Sequence, residues 1–202
     1  MIIETGFDQG TDEWKAARCG NPGATGISNI ITSTGQPSKS REKYLYQMAE
    51  EKITGIKPDS FQSYAMARGH ELEPEARDVF SFSTGFEVEQ CAMIYPDETK
   101  SWHVSPDGIM QDRGEGLEIK CPGLMVHDKY LQGNVCPTEY RLQIQGSLAA
   151  ADYETWWFVS YFPGVKPLII PVKRDEKLIS IILSEMDQFL ADLDSLINRL
   201  RA

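Results

Sequence analysis

The spacing of apolar residues changes near residue 85, and this change constrains the fold more than any other feature of the sequence. Helical spacing is found in the segments 11–18, 24–31, 40–55 and 62–83. The period of two that is typical of strands is found in the segments 86–96, 101–112 and 116–121. We therefore expect helices, the last one interrupted near Gly69 and Pro74, to precede a three-stranded meander.

The second half of the chain predicts one helix, two strands and a long closing helix. The helix has Pro137 in its first turn and extends to Asp152, and the strands are the β-rich segments "TWWFVSYFP" and "PLIIPVK". Residues 175–201 carry an apolar stripe at helical spacing. The order of elements predicts an α/β fold, a mixed sheet flanked by helices on both faces. A length of 202 residues suits a single domain, 1–202.

The predicted hairpin "SPDGIMQDRGEGLEIKCP" carries three charged side chains, Asp107, Glu118 and Lys120, whose spacing suggests a common site. Strand alternation places Glu118 and Lys120 on one face and Ile119 on the other, and the turn brings Asp107 back beside them. Carboxylates, with the main-chain carbonyl of Ile119, are ligands that Mg²⁺ prefers, and a lysine can help to deprotonate a metal-bound water. The group suits metal-assisted hydrolysis of a phosphodiester. The alternative is that Asp107 only forms a turn and that Glu118 and Lys120 are a solvated pair.

Other residue types give no comparable pattern. The cysteines and histidines have no metal-ligand spacing; they are Cys19, Cys91, Cys121, Cys136, His70, His103 and His127. We expect free thiols and no structural zinc site, and we assign these residues no function. The first residues lack a leader pattern and no apolar run reaches membrane-spanning length, so we expect a cytoplasmic protein.

The net charge of −10 is unfavourable for binding nucleic acid, but the charge is unevenly distributed. The 28 residues from Trp14 to Arg41 contain four basic residues and no Asp or Glu, where an average of 30 acidic residues in 202 would place about four. This basic segment is either an anion-binding surface or a chance gap in a solvated one.

Four motifs in this order resemble the lambda exonuclease (YqaJ-type) viral recombinases of the PD-(D/E)xK nuclease superfamily. They are "EWKAARCGNPGATG", "GHELEPEAR", "SPDG" followed by "LEIKCP", and "EYRLQIQGSL". The resemblance covers most of the chain. It implies the PD-(D/E)xK restriction-endonuclease-like fold.

The resemblance also implies the residues of the site. Asp107, Glu118 and the Ile119 carbonyl would hold one Mg²⁺, and Glu73 would help to hold a second, with Mn²⁺ as a substitute. Lys120 would position the attacking water, and Gln143 would support it by hydrogen bonding.

The 5′ phosphate of a DNA end would bind elsewhere on the chain. The matching residues are Arg18 and Thr25, with Tyr140 among the DNA contacts, although the family usually has Ser where this chain has Thr25. A helix beginning at Thr25 would offer free N–H groups to the phosphate. Trp14 is interpreted as a residue that orients Arg18, and spacing places Tyr140, Gln143 and Ser147 on one helix face.

The implied function is a Mg²⁺-dependent 5′→3′ exonuclease that acts on double-strand DNA ends, preferably 5′-phosphorylated. It would release mononucleotides and leave 3′ overhangs for phage-type recombination, with a single-strand annealing protein as partner, in the cytoplasm of a bacterial host. A chain with a radius of gyration of roughly 16–17 Å cannot encircle a duplex alone. The resemblance implies a homotrimeric ring.

Two alternatives remain. One is another nuclease of the superfamily, an endonuclease or a RecB-like enzyme, and the other is a non-catalytic DNA-binding protein on the same fold. An iron–sulfur relative is disfavoured because no cysteine follows Cys136. A calcium loop is disfavoured because the carboxylates lie on separate segments.

Overall fold

The computed structural model describes residues 1–58 and 64–202. The helices are α1 (Asp12–Arg18), α2 (Ile27–Ile30), α3 (Arg41–Thr54), α4 (Tyr64–Thr84), α5 (Leu124–Gly133), α6 (Thr138–Ala151) and α7 (Glu176–Arg201). The strands are β1 (Ile2–Glu4), β2 (Met93–Tyr95), β3 (Gly108–Met110), β4 (Glu115–Lys120), β5 (Thr155–Ser160) and β6 (Leu168–Lys173). A short 3₁₀ helix, Ala24–Gly26, directly precedes α2.

The central sheet has the strand order β3-β4-β5-β6. β3 and β4 form an antiparallel hairpin, β4 lies parallel to β5, and β6 is antiparallel to β5. The parallel pairing needs a long connection, and α5 and α6 provide it. The predicted mixed α/β sheet is therefore confirmed.

Helices cover both faces of this sheet. On one face, Ala76 and Phe80 of α4 pack against Leu117 and Ile119 of β4. The opposite face carries Trp156 and Phe158 of β5, which pack against α6 through residues such as Ile144 and Leu148. Because side chains alternate along a strand, Glu118 and Lys120 lie on the α6 side. The sheet thus presents its charged pair toward α6.

The closing helix α7 packs on other helices rather than on the sheet. It begins at Asp175, whose carboxylate accepts a hydrogen bond from the N–H of Leu178 (3.1 Å), and it contacts α3 and α6. Phe189 stacks on Tyr44 of α3 with a centroid distance of 5.4 Å. The predicted stripe is largely buried, but Ile181 and Leu200 are exposed.

Several predicted elements differ from the observed ones. α4 is continuous through Gly69 and Pro74, because packing of Ala76 and Phe80 on the sheet offsets the hydrogen bond that proline cannot donate. The predicted start of this helix at residue 62 lies outside the described residues.

The predicted meander is also partly wrong. Only its second half, the β3–β4 hairpin, is a regular pair, whereas β2 pairs with β1 in a separate two-stranded sheet. In place of a regular ladder between the first two predicted strands, single β-bridges pair Glu89 with Ile109 and Ile94 with Val104. The strand β1 and the helix α5 were not predicted. Within the described residues, no helix has both the length and the hydrophobicity that a membrane crossing requires.

Candidate active site

Asp107 immediately precedes β3 and is fixed to β4 through its backbone and its side chain. Its N–H donates to the carbonyl of Leu117 (3.1 Å), and its Oδ2 accepts from the N–H of Ile119 (2.6 Å). The next residue must be small, because a Cβ at Gly108 would lie 2.3 Å from Cγ1 of Val88. The hairpin therefore holds the Asp107 carboxylate directly beside the strand that carries Glu118.

Glu118 and Lys120 form an ion pair on the α6 side of β4. The Lys120 ammonium contacts Oε1 of Glu118, whose side chain is only 2% exposed. The other carboxylate oxygen, Oε2, is buried and has no hydrogen-bond partner among the described residues. A buried carboxylate oxygen without a donor is unfavourable, and a further cation or donor at this position would remove the penalty.

The charges in this region shift one another's protonation. Burial raises the pKa of the Asp107 carboxyl well above its usual range, and the negative charge of Glu118 adds to the effect. Burial alone would lower the pKa of Lys120, but the carboxylates of Glu118 and Asp107 outweigh it and raise that pKa. Lys120 is therefore a cation at any physiological pH.

Glu73 reaches the same region from α4. Its Oε1 pairs with NH2 of Arg77 (2.6 Å), while Nε of Arg77 donates to the carbonyl of Asp107 (2.8 Å). Burial raises the pKa of Glu73, and Arg77 opposes this shift. The charges of Glu118 and Lys120 also act on Glu73, which places all three in one electrostatic neighbourhood.

The three carboxylates are near one another, but each is engaged by a different internal partner. Asp107 accepts from the Ile119 N–H, Glu118 contacts Lys120, and Glu73 contacts Arg77. Within residues 1–58 and 64–202, no three His, Cys, Asp or Glu side chains converge as a ready-made metal site. The predicted metal ligands therefore lie in one region, but their side chains do not surround a single point at which a cation would bind.

Helix α6 connects this region to a second one. Tyr140 stacks on Phe158 of β5 with centroids 5.3 Å apart, and the Lys120 Nζ lies 5.2 Å from the Tyr140 ring centroid. Gln143, one turn further, is half-buried and lines a small cavity together with Arg18 and Thr25. Ser147, expected on the same face, is buried and donates to the Gln143 carbonyl (3.0 Å), so it does not line the site.

A larger cavity of about 210 Å³ lies between α1, the 3₁₀ helix and α3. Arg18 and Thr25 line it, and the Arg18 guanidinium lies 4.1 Å from the ring centroid of Trp14. Trp14 therefore orients Arg18, as predicted. Burial lowers the pKa of Arg18, although the charges of Tyr44 and Glu51 act against this shift. In the described part of the chain, Arg18 has no ion pair with a carboxylate.

The predicted helix at Thr25 is shorter than expected. The 3₁₀ helix Ala24–Gly26 is followed by the four residues of α2, and Ile31 is already extended. A helix of this length has little macrodipole, since the dipole is a sum over aligned peptide units. Anion binding in this cavity must therefore depend on side chains such as Arg18.

The residues of the larger cavity that the sequence did not assign include Tyr44, Lys57 and His103. Tyr44 explains the glycine that follows Thr25, because a Cβ at Gly26 would lie 2.2 Å from the Tyr44 hydroxyl. Burial and the charges of Arg18 and Lys57 lower the pKa of His103 to about 3, so this imidazole is neutral. Its position could not be read from the sequence, because it depends on the bridge between Gly23 and His103.

The remaining histidines and the cysteines have structural or surface positions. His127 is buried between the Ser160 hydroxyl (2.8 Å) and the Lys166 carbonyl (3.0 Å), and it anchors α5 to the end of β5. His70 is exposed on α4. All four cysteines are free, as predicted.

Residues 13–154 match the family model of the YqaJ-like viral recombinase domain, which is more than half of the chain. The chain belongs to the YqaJ-like viral recombinase family. The expected resemblance is confirmed, and with it the PD-(D/E)xK-like fold, since the β3–β4 hairpin carries the motif that defines this superfamily.

Solved structures agree with the placement in the YqaJ-like family. An alkaline exonuclease from Laribacter hongkongensis, LHK-Exo, is 31% identical with a TM-score of 0.86, covering 95% of this chain and 96% of that chain. Its complex with dAMP gives the same identity and coverage and a TM-score of 0.85. A phage-related exonuclease from Haemophilus somnus is 16% identical, covering 89% of this chain and 96% of that chain, and its TM-score of 0.69 shows the shared fold. Among curated protein sequences, none matches this chain.

Proposed function

We propose that this YqaJ-like protein is a Mg²⁺-dependent 5′→3′ exonuclease of double-strand DNA that releases mononucleotides and leaves 3′ overhangs. Membership of the family and 31% identity to an alkaline exonuclease over 95% of the chain make it an exodeoxyribonuclease. The observation that carries the metal dependence and the mechanism is the arrangement of Asp107, Glu118 and Lys120 at one end of the β3–β4 hairpin, with a buried carboxylate oxygen that has no donor.

The donor set fits hard divalent cations. Asp107, Glu118 and the Ile119 carbonyl would hold one Mg²⁺, and Glu73 would help to hold a second, all through oxygen atoms. The free Oε2 of Glu118 is available, and its Oε1 already binds a cationic group. When bound, Mg²⁺ supplies a Lewis acid for the scissile phosphate and lowers the pKa of the attacking water.

The chain's own residues position the reacting groups. Lys120 stays charged because two carboxylates raise its pKa. Its ammonium therefore donates a hydrogen bond to the attacking water, and the positive charge favours loss of a proton from that water. Tyr140, with its ring beside the Lys120 ammonium, restricts that side chain and contacts the DNA. Gln143 supports the water by hydrogen bonding and lies between this region and the cavity that contains Arg18.

Arg18 and Thr25 select the end of the DNA. The guanidinium can form two parallel charged hydrogen bonds to a 5′ phosphate, and Trp14 holds it in place from one side. The hydroxyl of Thr25, which lines the same cavity, adds a second donor. Binding of a terminal 5′ phosphate by Arg18 in this cavity would direct the enzyme to an end rather than to an internal phosphodiester.

The experiment that tests this function uses linear duplex DNA with and without a 5′ phosphate, in Mg²⁺ and in EDTA. We expect mononucleotides only from linear DNA and only with metal, at a higher rate from phosphorylated ends. Cutting of closed circular DNA would favour an endonuclease instead. Binding of DNA ends without any hydrolysis, in Mg²⁺ or Mn²⁺, would favour the non-catalytic DNA-binding protein.

A variant pair assigns the chemistry to the hairpin. Lys120→Met should abolish hydrolysis while it retains binding of DNA ends, because the binding cavity is formed by other residues. Lys129→Met is the matched control, since Lys129 is an exposed lysine on α5. Wild-type activity in Lys120→Met would refute the assignment.

We also propose that the protein acts as a homotrimeric ring and supplies overhangs to a single-strand annealing protein. A ring with cations inside and acidic residues outside would reconcile the net charge of −10 with a DNA substrate. Light scattering coupled to gel filtration measures the assembly. A monomer at micromolar concentration that still degrades long DNA processively would contradict the ring.

A further inference from the structure

Arg77 has no part in the chemistry above, yet it contacts two of the proposed metal ligands. Its side chain is 12% exposed and lies on α4, one turn from Glu73. NH2 contacts Oε1 of Glu73 at 2.6 Å, and Nε donates to the main-chain carbonyl of Asp107 at 2.8 Å. Nε–H and NH2 lie on one edge of the planar guanidinium, so a single rigid group connects the two residues.

Each end of this connection is restrained. Asp107 is held at three points, since its N–H donates to Leu117, its carboxylate accepts from Ile119 and its carbonyl accepts from Arg77. On the other side of the guanidinium lies the amide of Gln90. With its oxygen assigned to the end that faces Arg77, which is the orientation that satisfies both groups, it accepts from NH1 and NH2 at 3.2 Å. Arg77 therefore cannot rotate freely while it keeps these partners.

We infer that Arg77 is a positioning residue, which fixes the separation and orientation of Glu73 on α4 relative to Asp107 on the hairpin. This inference rests on the proposed function, because it assigns both carboxylates to divalent cations. Glu73 and Asp107 lie on separate elements. Arg68 also ties α4 to the end of β4, since its NH1 donates to the carbonyl of Pro122 (2.9 Å), but that contact reaches neither carboxylate residue. Arg77 contacts both Glu73 and Asp107. Groups that orient metal ligands typically change metal affinity by about 10–100-fold when they are removed.

An ordinary salt bridge would predict a different outcome. A salt bridge on a helix surface at i and i+4 would contribute little to stability, and lysine would replace arginine with little effect. Lysine has one terminal nitrogen without a fixed fork, so it cannot hold the carboxylate and the carbonyl in the same geometry. The conservative substitution therefore separates the two interpretations.

The test is Mn²⁺ binding, measured by titration calorimetry on the full chain without DNA. We compare the wild type, Arg77→Lys, and the control Arg113→Lys, whose arginine pairs with Glu115 in the turn of the same hairpin. We expect Arg77→Lys to raise the Mn²⁺ dissociation constant about 10–100-fold and the control to stay within about twofold of wild type. Thermal melting in EDTA shows that the compared proteins are folded.

A second measurement separates action through Glu73 from action through Asp107. If Arg77 positions both residues, Arg77→Lys added to Glu73→Gln should weaken Mn²⁺ binding further than Glu73→Gln alone. In activity assays the metal concentration for half-maximal rate should rise, while KM for DNA ends stays unchanged.

The outcomes distinguish this inference from the proposed function. A wild-type protein that binds no Mn²⁺ and degrades no DNA ends would overturn the proposed function. If the wild type binds Mn²⁺ and degrades ends, while folded Arg77→Lys binds Mn²⁺ within twofold of wild type, then only the positioning role of Arg77 is overturned.

Discussion

Replacing Lys120 by methionine should destabilise the metal-free protein as well as inactivate it. The partner, Glu118, is 2% exposed, whereas Lys120 is 26% exposed. Removing one member of a buried ion pair is unfavourable by about 3–5 kcal/mol, because the remaining charge has no compensation. The partial exposure of Lys120 places the expected loss near the lower end, about 3 kcal/mol, or roughly a 100-fold change in the folding equilibrium.

Urea denaturation followed by tryptophan fluorescence measures this loss. With a slope of roughly 1–3 kcal/mol per molar urea, a loss of about 3 kcal/mol lowers the midpoint by about 1–3 M. The double variant Glu118→Gln with Lys120→Met should recover most of the loss, because it leaves no buried charge. Lys129→Met, an exposed lysine, serves as the control.

The loss should also depend on pH. In Lys120→Met the charge of Glu118 is buried without a cation, and protonation of the carboxylate removes that charge, so the penalty is larger at high pH than at low pH. In the wild type the raised pKa of Lys120 means that its contribution is complete below about pH 10.4. The difference between the two proteins should thus be larger at pH 8 than at pH 5. Equal stability at pH 8, or a loss that is the same at both pH values, would refute this account of the ion pair.

Three further predictions follow from other parts of the site. Arg18→Ala should reduce the preference for phosphorylated over unphosphorylated ends by roughly 10–100-fold in kcat/KM, since a charged hydrogen bond contributes about 1.5–3 kcal/mol; an unchanged preference would assign the phosphate to another cation. Asp107→Asn should remove Mn²⁺ binding and raise the melting temperature in EDTA near neutral pH. The raised pKa of Asp107 means that its ionised form destabilises the folded protein at any pH above the unfolded pKa, and asparagine cannot ionise. A melting temperature that does not increase would contradict this. Gly69→Ala should stabilise the protein by about 0.5–1 kcal/mol in urea denaturation, because α4 is helical there and nothing lies within 4 Å of the added Cβ; a destabilised variant would show a break in the helix.

Elements that depend on local patterns were predictable. The cap at Thr11, the glycine at 55 with its positive φ of 68°, and the proline before α6 each determine an end of a helix from neighbouring residues. The strand β1 was not predictable, because its three residues are too short for a pattern and its partner β2 lies about 90 residues further along the chain. Helix α5 was missed because its apolar Leu124 and Met125 are exposed, while its buried residue is a histidine.

The residues of the site also separate into those that local sequence patterns predict and those that depend on contacts between distant elements. Asp107, Glu118 and Lys120 belong to one hairpin, so strand alternation and a short turn were sufficient to place them together. Arg77 ends the motif "GHELEPEAR" but received no role from the sequence, because its bond to the Asp107 carbonyl joins residues 30 positions apart and depends on how α4 packs on the sheet. Tyr44 and Lys57 line the larger cavity only because α3 and the residues after it fold over the 3₁₀ helix. Contacts between separate elements leave little trace in a single sequence.

The structure also explains how an acidic chain could prefer DNA ends. Burial lowers the pKa values of both Arg18 and Lys57. These cations have therefore lost stabilising hydration, and attraction to the nearby carboxylate of Glu51 does not fully compensate for that loss. An entering phosphate would restore that lost stabilisation, and the cavity that these two cations line has a volume of about 210 Å³. Elsewhere the net charge of −10 opposes contact with the side of a duplex. In the proposed function, selectivity for ends therefore arises from local attraction combined with general repulsion.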